Sequence, residues 1–448
     1  MRGIDILKIK ISDHFNFVKL IRFTFPSIVM MVFTSIYGVV DGFFVSNFTG
    51  KTQFAAVNLI MPFLLLLGVV GFMFGTGGNA IIAKTQGEGK TERANQIFTM
   101  LVTLTAIVGF ILFVAGELTM PWIVKTLGAT EEMYDYAVLY GRIICISVMP
   151  FTLQILFQSF LPTAGKPHIG LTITVIAGVI ILDFLFVGIF KWGIVGAAAA
   201  TVTGECIGGL APVFYFLSKN SSTLKFCKFK FDFKVIGKAC VNGSSELMTN
   251  VSTSIVNMMY NGQLMKFYGE DGVAAYGTIM YFNFVFVAAF IGYSIGSAPI
   301  VGYNYGSENH KELQNIFKKS IGIIFAFSAA ITLASVLLAG AVAKIYVGYD
   351  EGLFNLTVKA FRLFSTSYLI IGFNIYGSAF FTALNNGLIS AVISFLRTLL
   401  FQIVCVYALP LIFGNGAIWL SITVAELLTL AVTLSMIFTQ NGKYHYLP

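Results

Sequence analysis

The chain has 448 residues, of which 57% are hydrophobic and only 11% are charged, and its mean hydropathy is +0.85. Soluble domains carry about 25% charged residues, so this composition excludes a protein whose whole surface faces water. The net charge of +8 does not indicate a nucleic-acid partner, because the basic residues lie in loops that flank apolar segments.

Apolar runs of about 20 residues or more, the length that crosses a bilayer, recur along the chain between short polar loops. They predict an all-α membrane protein embedded in a lipid bilayer. We place twelve transmembrane helices at 17–46, 53–82, 95–116, 133–161, 168–190, 194–217, 235–266, 272–303, 315–338, 355–383, 388–413 and 415–438.

Loop charge predicts the orientation of these helices. With an even number of spans, both termini lie on one side of the membrane. The loops on that side contain nineteen Lys and Arg residues, whereas the opposite loops contain six. The excess predicts that both termini are cytoplasmic and that the protein resides in the cell membrane.

The densest basic segment, 219–238, separates an N-terminal lobe, 1–218, from a C-terminal lobe, 239–448. Residues recur between the lobes at an offset of 219 to 221 positions, including the pairs Gly77 and Gly296, Arg142 and Arg362, and Glu205 and Glu426. Each lobe has six predicted spans, so the two six-helix bundles are related by a parallel internal repeat. Two such bundles around a cleft are typical of transporters that work by alternating access.

The first span contains Asp41, in an apolar run from Pro26 to Val45 whose one other ionisable group is Tyr37. An acid inside the bilayer costs roughly 3 kcal/mol, so it normally faces a bundle interior or a water-filled cavity. The alternative is an acid that reaches water at the helix end, because Lys51 follows closely.

Two more acids lie in the same lobe. Asp183 is in the apolar fifth span, and Glu205 follows a run of small residues, which lets the sixth span pack closely and present Thr201 and Glu205 to neighbouring helices. Three acids without basic partners on their own spans predict a shared proton or cation site. The alternatives are an outer-end acid near Lys191 for Asp183 and a carboxylate paired with polar backbone for Glu205.

Burial disfavours the charged form of a carboxyl group, so acids in such a place can bind and release protons near neutral pH.

Fewer features mark the second lobe. Glu246 either lines a second-lobe cavity with Glu426 or lies at a cytoplasmic helix end near Lys238. Arg397, deep in the eleventh span, is predicted to neutralise an acid or backbone carbonyls.

Other chemistry has little support in the sequence. The five cysteines form no Cys-x-x-Cys pair, and there is no P-loop, no metal-ligand spacing and no nucleophile beside a base. We therefore predict no enzyme activity, no metal site and no cofactor other than a coupling H⁺ or Na⁺ ion.

Five motifs carry a resemblance to a known family: Tyr-Gly-Val-Val-Asp-Gly-Phe-Phe-Val at 37–45, Ala-Ala-Val at 55–57, Gly-Thr-Gly-Gly-Asn at 75–79, Leu-Asp at 182–183 and Gly-Ala-Ala-Ala-Ala-Thr at 196–201. Together with the two-times-six layout, they resemble multidrug and toxic compound extrusion (MATE) transporters over essentially the whole chain. The resemblance implies export of bulky, amphipathic, often cationic compounds in exchange for protons or sodium. It also implies that Asp41, Asp183 and Thr201 occupy the coupling-ion positions.

Two positions depart from the family. Val179 stands where members often have Asn, and the tenth-span acid that partners Glu246 in a sodium-using branch is missing, since 361–383 contains no acid. Val offers no oxygen to sodium, so we predict proton coupling. We expect an antiporter that acts as a monomer. The alternatives are a lipid-linked saccharide flippase of the same superfamily and, from another class, an intramembrane enzyme.

Overall fold

A computed structural model of the protein describes residues 9–49, 51–178 and 180–447, and these residues form helices without any strand. The α-helices are α1 (Phe17–Phe48), α2 (Lys51–Gly87), α3 (Thr91–Thr126), α4 (Glu131–Cys145), α5 (Val148–Thr163), α6 (Pro167–Ile176), α7 (Ile180–Asp183), α8 (Gly193–Leu217), α9 (Phe233–Gly306), α10 (His310–Val347), α11 (Glu351–Ser365), α12 (Tyr368–Ala383), α13 (Gly387–Phe395), α14 (Phe401–Phe413) and α15 (Ser421–Tyr444). Two π-helical segments, Phe184–Ile189 and Leu396–Leu400, and a 3₁₀ segment, Asn415–Leu420, lie between them.

The membrane crossings are consistent with the predicted count. Within the described residues, eight helices are long and apolar enough to cross a membrane, or ten if the bent pairs α4–α5 and α11–α12 each form one crossing. The 74-residue α9 has non-helical backbone at Gly269, with φ of 63°, a conformation that favours glycine, so it supplies two crossings. The remaining crossing is the predicted span 168–190, which contains the shorter apolar helix α6. The fold is therefore consistent with twelve crossings.

The internal repeat is visible in the helix boundaries. Helices α4 and α5 begin at residues 131 and 148, and α11 and α12 begin 220 residues later, at 351 and 368. Both pairs are bent, by 55° and 46° respectively. The bends place equivalent kinks in the two lobes.

The two lobes meet along α2 and α9 at the end of the bundle that carries residues 88–90, 218–232 and 307–309, here named the linker end. A Cβ on Gly243 would lie 2.0 Å from the Met73 carbonyl oxygen, and one on Gly306 would lie 2.0 Å from that of Lys84. Such backbone-to-backbone contact is possible only because these positions lack side chains. The lobes are closed together at the linker end.

Helix α1 belongs to both lobes. Buried side chains between residues 9 and 28 join the core of the second lobe, and Phe15 there is fully buried. Helix α1 then packs on α9, where a Cβ on Gly292 would lie 2.6 Å from the Cα of Ile28. Pro26 lies inside α1, near this contact. The predicted N-terminal lobe, 1–218, thus has its first helix anchored in the other lobe.

Candidate functional site

The first predicted acid, Asp41, lies in the part of α1 beyond its contact with the second lobe. Its residue surface is only 7% exposed, and its Oδ1 atom has no hydrogen-bond partner among the described residues. Tyr37 lies one turn earlier on the same helix. Asp41 is therefore not an acid that reaches water at a helix end.

Asp183 is more deeply buried, with no exposed surface, and in the described part of the chain neither of its carboxylate oxygens has a hydrogen-bond partner. It ends the short helix α7, between the break after α6 and the π-helical turn 184–189. Irregular turns of this kind inside helices are frequent at functional sites. Val179, the position used to predict the coupling ion, lies outside the described residues.

Glu205 lies on α8 and receives a hydrogen bond from Ser147, with 2.5 Å between Ser147 Oγ and Glu205 Oε2. Ser147 is fully buried at the bend between α4 and α5. Ser147 was not predicted as part of the site, because a single serine in an apolar run gives no signal of its partner. Thr201 is partly buried one turn before Glu205 on α8.

The fold brings the three acids of the first lobe together. Asp41 interacts electrostatically with both Asp183 and Glu205. Tyr37 and Tyr140 interact with all three acids, and the Tyr140 hydroxyl is buried without a partner among the described residues. We name Asp41, Asp183 and Glu205 the first-lobe acid cluster.

No basic side chain in the described structure interacts with this cluster. Carboxylates that interact in a low-dielectric interior repel one another, so ionisation of all three is disfavoured. Among the described residues, no group of three acidic, histidine or cysteine side chains is arranged to hold a metal ion. The arrangement can therefore hold an exchangeable proton. Asp41 and Asp183 have the unpartnered oxygens that would receive it.

The second lobe has a different polar cluster. Arg397 Nε lies 2.9 Å from Glu426 Oε1, and the Asn374 side-chain amide donates to Glu426 Oε2 at 2.7 Å. The prediction that Arg397 neutralises an acid is confirmed. The partly buried Glu246 also interacts electrostatically with Arg397, whereas Lys238 interacts with other groups. Glu246 thus belongs to the lobe interior, and Asn374 is a member that the sequence analysis did not find.

Comparison with known proteins agrees with this architecture. The MatE family model matches residues 26–187 and again residues 247–408, one copy in each half of the chain. The two matches confirm the internal repeat, and together they cover more than half of the chain.

Full-length relatives are also found. The multidrug export protein MepA of Staphylococcus haemolyticus is 24% identical over 440 residues, which is 95% of this chain and 94% of that protein. MepA of Staphylococcus aureus strain MRSA252 is 22% identical over 438 residues, with the same coverage.

Solved structures show the same fold at low sequence identity. A crystal structure of MATE in complex with MaL6 has a TM-score of 0.90 and 21% identity, covering 99% of this chain and 100% of that one. An outward-facing multidrug resistance MATE family transporter of the MOP superfamily has a TM-score of 0.90 and 20% identity, covering 99% and 98%. From the family match in both halves, the chain belongs to the MatE family of membrane transporters.

Proposed function

We propose that this protein is a secondary active antiporter that exports amphipathic, often cationic organic compounds in exchange for protons. The observation that carries the proposal is the first-lobe acid cluster, in which Asp41 and Asp183 are buried with unpartnered oxygens and without a basic neighbour in the described structure. Such acids need a proton or a cation to balance them. The relatives named multidrug export proteins support the substrate class.

The geometry of α1 suggests how ion binding drives movement. Asp41 lies on the same continuous helix as Thr24 and Ile28, which contact Gly296 and Gly292 of the second lobe. Protonation of Asp41 removes its repulsion from the other two acids, so this part of α1 can pack more closely in the first lobe. Pro26 lacks the backbone N–H of a regular helix and permits a bend there. The contact between the lobes would respond to the charge of Asp41.

Exchange follows if protons and substrate favour opposite conformations. A ligand shifts a conformational equilibrium only by its difference in affinity for the two states. We propose that an organic cation binds in the cleft between the lobes while the acids are ionised. It leaves on the far side when protons neutralise them, and each pH unit of gradient supplies about 1.4 kcal/mol per proton. We expect the termini to be cytoplasmic and the direction of transport to be outward across the cell membrane.

We propose protons over sodium for a chemical reason. A proton needs one carboxylate, whereas sodium needs several oxygen ligands, and Val179 offers none where an Asn would offer a carbonyl. Val179→Asn should therefore increase sensitivity to sodium, whereas the wild type should show little.

Transport by the purified protein in liposomes tests this function. Export of a fluorescent organic cation is measured with an imposed pH gradient in sodium-free buffer, and separately with an imposed sodium gradient at equal pH. We expect export in the first arm alone. Strict dependence on sodium would overturn proton coupling, and no export in either arm would overturn the proposed function. Liposomes without protein report passive leakage of the dye.

A further inference from the structure

Two acids at equivalent positions of the repeat have very different surroundings. The two MatE matches begin at residues 26 and 247, and the same spacing of 221 residues relates Glu205 to Glu426. Within the described residues, Ser147 is the donor to Glu205, which shares its site with two other acids. Glu426 instead has a cation and an amide as direct partners.

Both carboxylate oxygens of Glu426 accept hydrogen bonds from side chains of the same lobe. The residue is only 2% exposed, and Arg397 Nε and Asn374 Nδ2 donate to its two carboxylate oxygens at 2.9 and 2.7 Å. Thr433 Oγ1 donates to Asn374 Oδ1 at 3.0 Å and so fixes the amide orientation. Each carboxylate oxygen of Glu426 thus accepts a hydrogen bond from another side chain of the protein.

The positive charge beside Glu426 is permanent. A guanidinium does not lose its proton in a protein, so Arg397 carries its positive charge in every conformation. The other charged group that interacts with Arg397 in the described structure is Glu246, which is also an acid. Arg397 is bonded directly to Glu426, so its charge balances that carboxylate without a proton.

The equivalent crossings of the two lobes carry opposite groups. In the first lobe, α6 and α7 are separated by a break, and the crossing carries Asp183 and no arginine. In the second lobe, the continuous crossing formed by α13 and α14 carries Arg397 on its π-helical turn 396–400 and has no acid. The first of these two equivalent crossings thus carries a carboxyl group, and the second carries a guanidinium.

We propose that Arg397 is a tethered cation that takes, at Glu426, the place of the exchanged ion in the first lobe, so that Glu426, unlike the first-lobe acid cluster, takes no part in ion exchange. This inference rests on the proposed function, because it requires the first-lobe acid cluster to exchange ions. It makes Arg397 a positioning residue that sets the number of ions exchanged for each substrate.

The number of protons exchanged per ligand tests the inference. Isothermal titration calorimetry of tetraphenylphosphonium binding, in two buffers of different ionisation enthalpy at one pH, gives the protons released when this organic cation binds to the purified protein. Arg397→Gln leaves Glu426 buried without its cation, so about one further proton is expected to be bound and exchanged. Arg397→Lys keeps the charge and should keep the wild-type number. Arg362→Gln, which removes an exposed arginine, is the matched control.

Two further variants decide the matter even if Arg397→Gln does not fold. Glu426→Gln keeps the shape of the side chain, and the wild-type proton number is expected, because Glu426 takes no part in exchange. The double variant Arg397→Gln with Glu426→Gln should also return to the wild-type number. A lower number in Glu426→Gln, or an unchanged number in a folded Arg397→Gln, would overturn the inference while leaving the proposed function intact. A wild-type protein that exchanges no proton on binding would instead overturn proton coupling itself.

Discussion

Gly243 of α9 lies directly against the backbone of Met73 in α2, where a Cβ would be only 2.0 Å from the Met73 carbonyl oxygen. The two residues belong to different lobes, so the absence of a side chain at Gly243 contributes to the closed arrangement at the linker end, as it does at Gly306. Rocking of the lobes must separate this contact when the linker end opens. This contact between Gly243 and Met73, here named the seam, therefore reports which side of the membrane the cleft faces.

Replacing Gly243 with Ala should hold the lobes apart at the linker end, because backbone atoms of α2 cannot yield as a flexible side chain does. We expect export to be strongly reduced and the distance between spin labels at Lys90 and Glu308, two exposed linker-end residues of different lobes, to increase. Gly262→Ala is the control, since no atom lies within 4 Å of a Cβ at that position of α9. An unchanged distance in Gly243→Ala would contradict the role of this seam.

Asp41→Asn should abolish gradient-driven export. Asn has nearly the shape of Asp and keeps hydrogen-bonding capacity but does not titrate, so expression and thermal stability should stay near those of the wild type. The measurement is the rate of transport of the organic cation across the liposome membrane under an imposed pH gradient. Asp271→Asn, which alters an exposed acid, should export normally. Wild-type export by Asp41→Asn would remove Asp41 from the mechanism.

Binding of a cationic dye should weaken as pH falls. The first-lobe acid cluster attracts an organic cation while its carboxyls are ionised, and protons that neutralise them compete with the dye. Fluorescence titrations between about pH 8 and pH 5, a range that brackets the titration of buried carboxyls, should show a rising dissociation constant. Asp41→Asn should show a smaller change. A dissociation constant that is constant over this range would argue against exchange.

The segment before α1 should detach when Glu312 is replaced by Ala. The Glu312 carboxylate accepts from the Phe15 N–H at 2.9 Å and from the Asn315 amide at 2.9 Å, and it lies 2.6 Å from His14 Nδ1. Leaving these groups without an acceptor costs about 1–3 kcal/mol. We expect a lower melting temperature and faster cleavage by trypsin at the exposed Lys10.

Glu308→Ala, an exposed acid just before α10, is the control for this change and should leave cleavage at Lys10 unaltered. Equal trypsin resistance of Glu312→Ala and the wild type would show that burial of Phe15 alone holds the segment in place.

Much of the architecture was predictable because its causes lie within single segments. Hydropathy over about 20 residues predicts each crossing, and Asp41 and Asp183 are conspicuous because acids are costly in apolar runs. The internal repeat could be recognised from residues that recur at a fixed spacing, such as Glu205 and Glu426. The predicted boundary between the seventh and eighth spans, at 266 and 272, flanks the non-helical backbone at Gly269 inside α9. The coupling role of Thr201 stays a prediction.

By itself, the sequence determined that the chain spans a membrane as two six-helix halves with carboxyl groups in both. Local composition controls whether a segment enters lipid, so this could be predicted without the structure. Tertiary structure alone decided which groups those carboxyls meet. Ser147 and Asn374 look like ordinary polar residues of apolar helices, yet one bonds Glu205 and the other bonds Glu426. Their partners lie 58 and 52 residues away, and the contacts exist only because separate helices pack side by side. The charge state that each lobe can adopt follows from those contacts.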